Sequence, residues 1–222
     1  MPKLPPPRAC PGNPVIEVLA AGTVAARVHR LGRSADSFNT TARAAPPPGA
    51  PVSGGRFDSV DGSYAYLYGA LTEEGAFAEA FARDLDFTAA GPRPLPRIRV
   101  AGKGVSRIVV ARDARLVVVC GAGAQQIGQD DWLTRCDESD YPTCREWAAS
   151  VRRWVPDADG LTWRSKRDPT ERVFMLWGDP AAAGGGCGLV RAATGGEEPL
   201  EMGPARMRLE EFLLEWRLYV EW

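Results

Sequence analysis

Residues 54–79 read GGRFDSVDGSYAYLYGALTEEGAFAE, and this stretch organises the rest of the chain. Gly54 and Gly55 supply backbone angles closed to other residues and let a ligand approach the main chain. Arg56 follows directly, a fixed-charge fork suited to phosphate or carboxylate. Tyr64, Tyr66 and Tyr68 recur at period two, which is the spacing of one strand face. Thr72 reads as a helix N-cap, with Glu73 and Glu74 in the first turn where the helix dipole favours acids.

Within that helix Phe77, Phe81 and Leu85 define an apolar stripe. Glu79 stands about 200° from Phe77 at roughly 100° per residue. Its helical neighbours are Gly75, Ala76, Ala82 and Arg83. Small neighbours leave room for a flat ligand or a strand to come close. The alternative is a solvated Glu79–Arg83 pair, worth a few tenths of a kcal/mol.

Upstream, Val24 to His29 reads as a strand, and Pro14 to Ala21 as either a short helix or an extended run. Residues 31–53 carry Ser, Asn, Thr, Pro and Gly with few large apolar side chains, which predicts a long surface loop or lid. Downstream, Val105 to Val110 and Leu116 to Cys120 are near-continuous apolar runs joined by a turn. Such runs predict strands buried on both faces. Tyr141 to Trp154 predicts a helix with Trp147, Val151 and Trp154 on one side. Leu161 to Ser165 and Arg172 to Trp177 read as strands, the first placing Leu161, Trp163 and Ser165 on one side of the pleat. Arg206 to Leu218 predicts an amphipathic helix turning Leu209, Phe212, Leu213 and Trp216 inward, and Tyr219 to Trp222 a last strand. Helices and strands mix without regular βαβ alternation, so the expected class is α+β. No linker divides the apolar segments. The expected organisation is a loose proline-rich leader over residues 1–20 and one domain over 21–222.

Lys+Arg is 27 against Asp+Glu 28, a net charge of −1, which argues against a chain built to neutralise a nucleic-acid backbone. The cysteines are Cys10, Cys120, Cys136, Cys144 and Cys187, with no C-x-x-C pair, and His29 is the single histidine. A zinc site of standard spacing is therefore not expected, and the thiols are expected reduced, in a cytoplasmic setting. The first residues hold no apolar h-region, and no run approaches the roughly 20 apolar residues of a membrane span. The dinucleotide, P-loop and nucleophile-elbow glycine patterns are absent.

Five segments in order resemble the RES domain family. They are Gly22-Thr23-Val24-Ala25-Ala26-Arg27-Val28-His29; Gly54-Gly55-Arg56-Phe57-Asp58; Tyr68-Gly69-Ala70; Ala76 to Glu79; and Gly160-Leu161-Thr162-Trp163-Arg164-Ser165. The likeness spans residues 22–180. It implies an ADP-ribosyltransferase-like fold, a mixed, largely antiparallel sheet flanked by helices. It further implies a bacterial toxin that degrades NAD⁺ by hydrolysis or phosphorolysis, with an Xre-like antitoxin as partner. Carried over, Arg27, Arg56, Tyr68 and Ser165 would bind NAD⁺, and Glu79, Arg56 and Ser165 would be catalytic. NAD⁺ is then a substrate, phosphate a candidate acceptor, and no cofactor is required. A homo-oligomer is compatible with this reading. The residue types suit the chemistry, because nicotinamide loss creates an oxocarbenium-like centre that a carboxylate stabilises. Two other functions fit the same segments: a mono-ADP-ribosyltransferase, and a binding module with a dead site. Read without the family, Tyr68 is a core aromatic and Ser165 a strand-end cap.

Overall fold

The computed structural model describes residues 4–83, 91–186 and 188–222. The elements in chain order are β1 (Ile16–Leu19), β2 (Val24–Arg30), β3 (Ala65–Ala70), α1 (Glu73–Phe77), β4 (Arg93–Pro96), β5 (Lys103–Val110) and β6 (Ala114–Val118). They continue with α2 (Gly121–Gln126), α3 (Trp132–Arg135), α4 (Tyr141–Trp154), β7 (Gly160–Arg164), β8 (Arg172–Gly178), β9 (Val190–Ala192), β10 (Glu198–Pro199), α5 (Gly203–Glu215) and β11 (Leu218–Glu221). Leu85, the third member of the predicted helix stripe, and Cys187 lie outside the described residues.

The class is α+β, as the mixed pattern predicts. The main sheet runs β1-β6-β7-β8-β3-β2-β5-β10, with β9 also on β5. Only β6 and β7 pair in parallel within it; the other described pairs are antiparallel. The run RVFMLW explains itself here. Val173, Met175 and Trp177 of β8 face α4. Phe174 and Leu176 face the opposite layer, with Leu67, Ile108 and Phe38. A strand buried on both faces shows no alternation.

The strands β5 and β6, consecutive in the chain, do not pair with each other. Leu19 of β1 lies opposite Ala114, while Val24 of β2 lies opposite Val109. Between them Gly22 N–H donates to the Val110 carbonyl at 2.8 Å, and Ala21 N–H to Asp113 Oδ1, also at 2.8 Å. Two long ladders thus turn one shared corner, and the sheet curls around to bring its two ends there.

A gap follows from that curl. β2 pairs β5 from Val24 through Arg30, yet it meets β3 at a single position, Ala26 opposite Ala70. Beyond that point the two strands separate. Asn39 takes the vacated edge of β3, exchanging both backbone bonds with Tyr66 at 2.8 and 3.0 Å. The loop expected as a lid over 31–53 is therefore anchored at its start. Ala35 and Phe38 are buried, and Arg27 Nη1 donates to the carbonyls of Ala35 and Ser37 at 2.6 and 2.7 Å. The loop is a wall because its carbonyls are partners for a part-buried guanidinium.

The expected loose leader is also tied down. Trp147 Nε1 donates to the Leu4 carbonyl at 2.9 Å, and Trp154 Nε1 to that of Arg8 at 3.3 Å. Prolines leave these carbonyls unpaired in any local helix, and the α4 indoles take them. Pro14 to Ala21 resolves as extended: β1 is an edge strand of the main sheet. A third cluster packs Phe77 and Phe81 against Leu209, Phe212 and Leu213 of α5, beside the small parallel β4–β11 ribbon.

Candidate active site

Where β2 and β3 diverge, a cleft of about 670 Å³ opens. The strands contribute Arg27, His29 and Arg30 from one side and Tyr66, Tyr68 and Gly69 from the other. The helix after β3 forms the floor. It begins as expected, with Thr72 Oγ1 accepting from Gly75 N–H at 2.9 Å. Thr72 also donates to Glu171, which pins the cap to the segment before β8. After Phe77 the helix widens into a π-turn over Ala78–Ala82, a distortion found often at functional sites. Phe77, Ala78, Phe81 and Ala82 are buried, whereas Glu79 and Ala80 line the cleft.

The glycine pair is held by a hub that only the structure shows. Asp58 is 2% exposed. Its Oδ2 accepts from Gly55 N–H at 2.8 Å and from Tyr66 Oη at 3.0 Å, and its Oδ1 accepts from Tyr68 Oη at 2.8 Å. Phe57 N–H in turn donates to Tyr68 Oη at 2.9 Å, and Tyr64 Oη donates to the Phe57 and Asp58 carbonyls. Burial, and then the Asp58 charge, pushes the Tyr68 hydroxyl well above its ordinary range, so it stays a donor. A Cβ at Gly55 would stand 2.5 Å from Asp58 Oδ1 and 2.7 Å from Tyr68 Oη, so only glycine fits. Arg145 of α4, 1% exposed, fastens the same loop through the carbonyls of Gly55, Arg43 and Ser53. The signal for Asp58 was present in the run Gly-Gly-Arg-Phe-Asp, where an Asp three residues past a glycine closes a turn. Nothing local marked Arg145, whose partners lie about ninety residues or more away.

The predicted residues fall into two groups. Arg27, Tyr68 and Glu79 line the cleft together, with Trp163 beside them. Arg56 and Ser165 do not line it; they are 2% and 1% exposed. The Arg56 guanidinium lies 5.5 Å from the Tyr141 ring centre and 5.8 Å from that of Phe57. Phe57 in turn meets Trp163 edge-on at 5.0 Å. One property unites the three candidates. Arg56 Nε and Nη2, Glu79 Oε1 and Ser165 Oγ are all buried without a hydrogen-bond partner, as is Trp163 Nε1. Each such orphan costs about 1–3 kcal/mol, and native folds hold few of them.

Burial lowers Arg27 to about 10, which still leaves it a cation at neutral pH. His29 is 7% exposed. Its Nδ1 lies 3.1 Å from the Arg30 carbonyl and its Nε2 2.9 Å from Ser106 Oγ. A carbonyl only accepts, so Nδ1 carries the proton and Nε2 accepts from the serine. Burial first, and then the Arg27 charge, lowers its pKa, so the ring is a neutral brace. The unfolded chain protonates His29 near pH 6.5 while the folded chain resists, so its stabilising contribution is full above that pH and is lost as pH falls below it. Urea unfolding between about pH 7.5 and 5.5 is expected to show stability falling with acid, and His29→Gln to flatten that slope. An unchanged slope would remove the histidine from the account.

Among the described residues no group of three or more His, Cys, Asp or Glu could hold a metal ion, and no helix is long and apolar enough to cross a membrane. The molecule is thus an α+β protein on a split, mainly antiparallel sheet, whose cleft sets Glu79 among arginines. The RES domain model matches residues 26–188, and the chain belongs to the RES domain family. A chain in the crystal structure of the M. tuberculosis MbcT–MbcA toxin–antitoxin complex is similar in fold, with TM-score 0.57 and 12% identity over 89% of this chain and 92% of that one. No curated protein matches the sequence.

Proposed function

We propose that this chain is the NAD⁺-degrading toxin of a bacterial toxin–antitoxin pair, acting in the cytoplasm, and that Glu79 is the carboxylate at the reacting centre. The observation that carries the reading is Glu79, which lines a cleft of about 670 Å³ with Arg27 and Tyr68 and whose Oε1 is buried without a hydrogen-bond partner. That volume suits a ligand of several hundred daltons. The nicotinamide–ribose bond breaks with its electron pair leaving on nicotinamide. An oxygen of water or phosphate then adds to the ribose carbon and releases its proton. Glu79 stabilises the oxocarbenium charge or orients the acceptor. Arg27 meets the pyrophosphate, and Tyr68 offers a flat wall held by Asp58. Arg56 and Ser165 are buried outside the cleft lining, and their orphaned donors meet substrate after a shift of the residues that cover them. The family and the fold of the MbcT–MbcA chain support an antitoxin partner, which we take to be Xre-like.

The test is free nicotinamide released from NAD⁺ by purified, antitoxin-free protein. Release that requires phosphate indicates phosphorolysis; release without it indicates hydrolysis. Release only with a labelled protein acceptor would replace this reading with mono-ADP-ribosyl transfer. No turnover from folded protein in any condition would leave a binding module. Arg56→Ala is expected to weaken NAD⁺ binding by roughly 10- to 100-fold, the worth of a charged hydrogen bond. Calorimetry that finds wild-type affinity in a folded variant removes Arg56 from the site.

A further inference from the structure

Cys136 caps the C-terminus of α3, and Cys144 lies in the first turn of α4. Both thiols are free, and the two residues are 5% and 0% exposed. Their sulfurs stand 3.2 Å apart. A disulfide bond is about 2.0 Å long, so closing the gap asks for a movement of about 1.2 Å. The two thiols do not titrate alike. The hydrogen bond from Cys144 lowers the Cys136 thiol, burial opposes it, and the Arg56 charge adds to the lowering. That same bond, and then burial, push Cys144 up, so Cys144 keeps its proton and donates. The pair also stands between the two predicted site residues that the cleft lining leaves out. The Arg56 guanidinium lies 5.5 Å from the ring centre of Tyr141, three residues before Cys144. On the other side Lys166, next in the chain after Ser165, donates from Nζ to the Cys136 carbonyl at 3.0 Å.

We propose that Cys136 and Cys144 are a redox-active dithiol, which a peroxide closes to a disulfide, and that closure disturbs the seat of Arg56. A thiol beside a cation, with a second thiol in bonding reach to resolve it, is the arrangement of redox-sensing cysteines. In the cytoplasmic setting proposed above the pair rests reduced, and its disulfide is a transient state. The Cys136 sulfur attacks one peroxide oxygen. The O–O bond breaks, and the departing hydroxide leaves as water with the Cys136 proton. The Cys144 sulfur then attacks the sulfur of the Cys136 sulfenic acid. The S–O bond breaks, and a second water leaves with the Cys144 proton. Two thiols are thus oxidised to one disulfide while one peroxide is reduced to two waters. The disulfide offers Arg56 no thiolate charge, and it draws the end of α3 against α4.

Hydrogen peroxide added to the folded protein in stoichiometric amount is expected to lower its mass by two hydrogens, and dithiothreitol to restore them. Peptide mapping should place the link between Cys136 and Cys144. A variant carrying Cys10→Ser, Cys120→Ser and Cys187→Ser keeps this pair alone and should react in the same way. In Cys144→Ser the reaction should stop at a sulfenic acid on Cys136, which dimedone traps; in Cys136→Ser no adduct should form on Cys144, whose thiol keeps its proton. Calorimetry on the three-serine variant should show NAD⁺ affinity falling by about threefold or more on oxidation, part of what losing the Arg56 contact would cost, and returning on reduction. That affinity arm rests on the proposed NAD⁺ reading. The mass and mapping arms use no NAD⁺, so the two readings fail separately. An unchanged mass, a gain of oxygen alone, or a link that joins other cysteines would overturn the dithiol. Complete disulfide formation with unchanged NAD⁺ affinity would overturn its coupling to Arg56.

Discussion

Glu79→Gln is expected to reduce nicotinamide release by about 10²–10³-fold or more, the scale on which preorganised charge acts on a transition state. The substitution keeps the shape and removes the charge. Glu79 Oε1 has no hydrogen-bond partner, so no fold-holding bond to it is lost. The melting temperature is therefore expected to stay within a few degrees of wild type, and NAD⁺ affinity within a few-fold. This combination separates chemistry from binding: an interaction made only in the transition state lowers turnover alone. Turnover near wild type in the folded variant would end the assignment of the carboxylate. A collapse of stability would recast Glu79 as structural, a role its position on the π-turn does not suggest.

The largest effect on stability is expected at Asp58. Asp58→Ala strips the acceptor from Gly55 N–H, Tyr66 Oη and Tyr68 Oη at once. Leaving buried donors unpaired costs about 1–3 kcal/mol each, and relief of one buried charge offsets part of the sum. A net loss of about 3 kcal/mol lowers the melting temperature by about 6–12 °C in a domain of this size. Tyr68→Phe removes one donor from the carboxylate and leaves the Phe57 N–H without its acceptor, so it should cost about 2 kcal/mol, less than Asp58→Ala. Tyr66 has a second acceptor, the Thr41 carbonyl at 3.1 Å, which tempers its share. Thermal scans of the two variants side by side check the hub: equal, small losses would mean that the tyrosines hold themselves.

Much of the local structure was legible because it rests on short-range rules. Period-two tyrosines made β3, a threonine before two glutamates made the helix start, and apolar spacing made α4 and α5. The placement of Glu79 off the Phe77–Phe81 stripe was legible for the same reason. The ordered motifs carried the family, and with it the choice of Arg27, Tyr68 and Glu79, which the fold brings to one cleft. Arg56 and Ser165 were legible as residue types but not as positions, because depth behind a wall depends on what packs in front.

The sequence by itself determined the strands β2, β3, β5 to β8 and β11, the helices α1, α4 and α5, and which face of most of them is apolar, since these are set by neighbours within a few residues; it left Pro14 to Ala21 open and did not mark β4, β9, β10 or α2. Tertiary structure alone decided that β5 and β6 part company, that β2 leaves β3 after Ala26, and that Asp58 gathers three donors. Apart from the Asp58 hub, whose donors lie 3, 8 and 10 residues away, each of these is a register between segments far apart in the chain. Buried strands such as β8 carry no alternation to announce their partners, and the partner is chosen by what the whole core can bury.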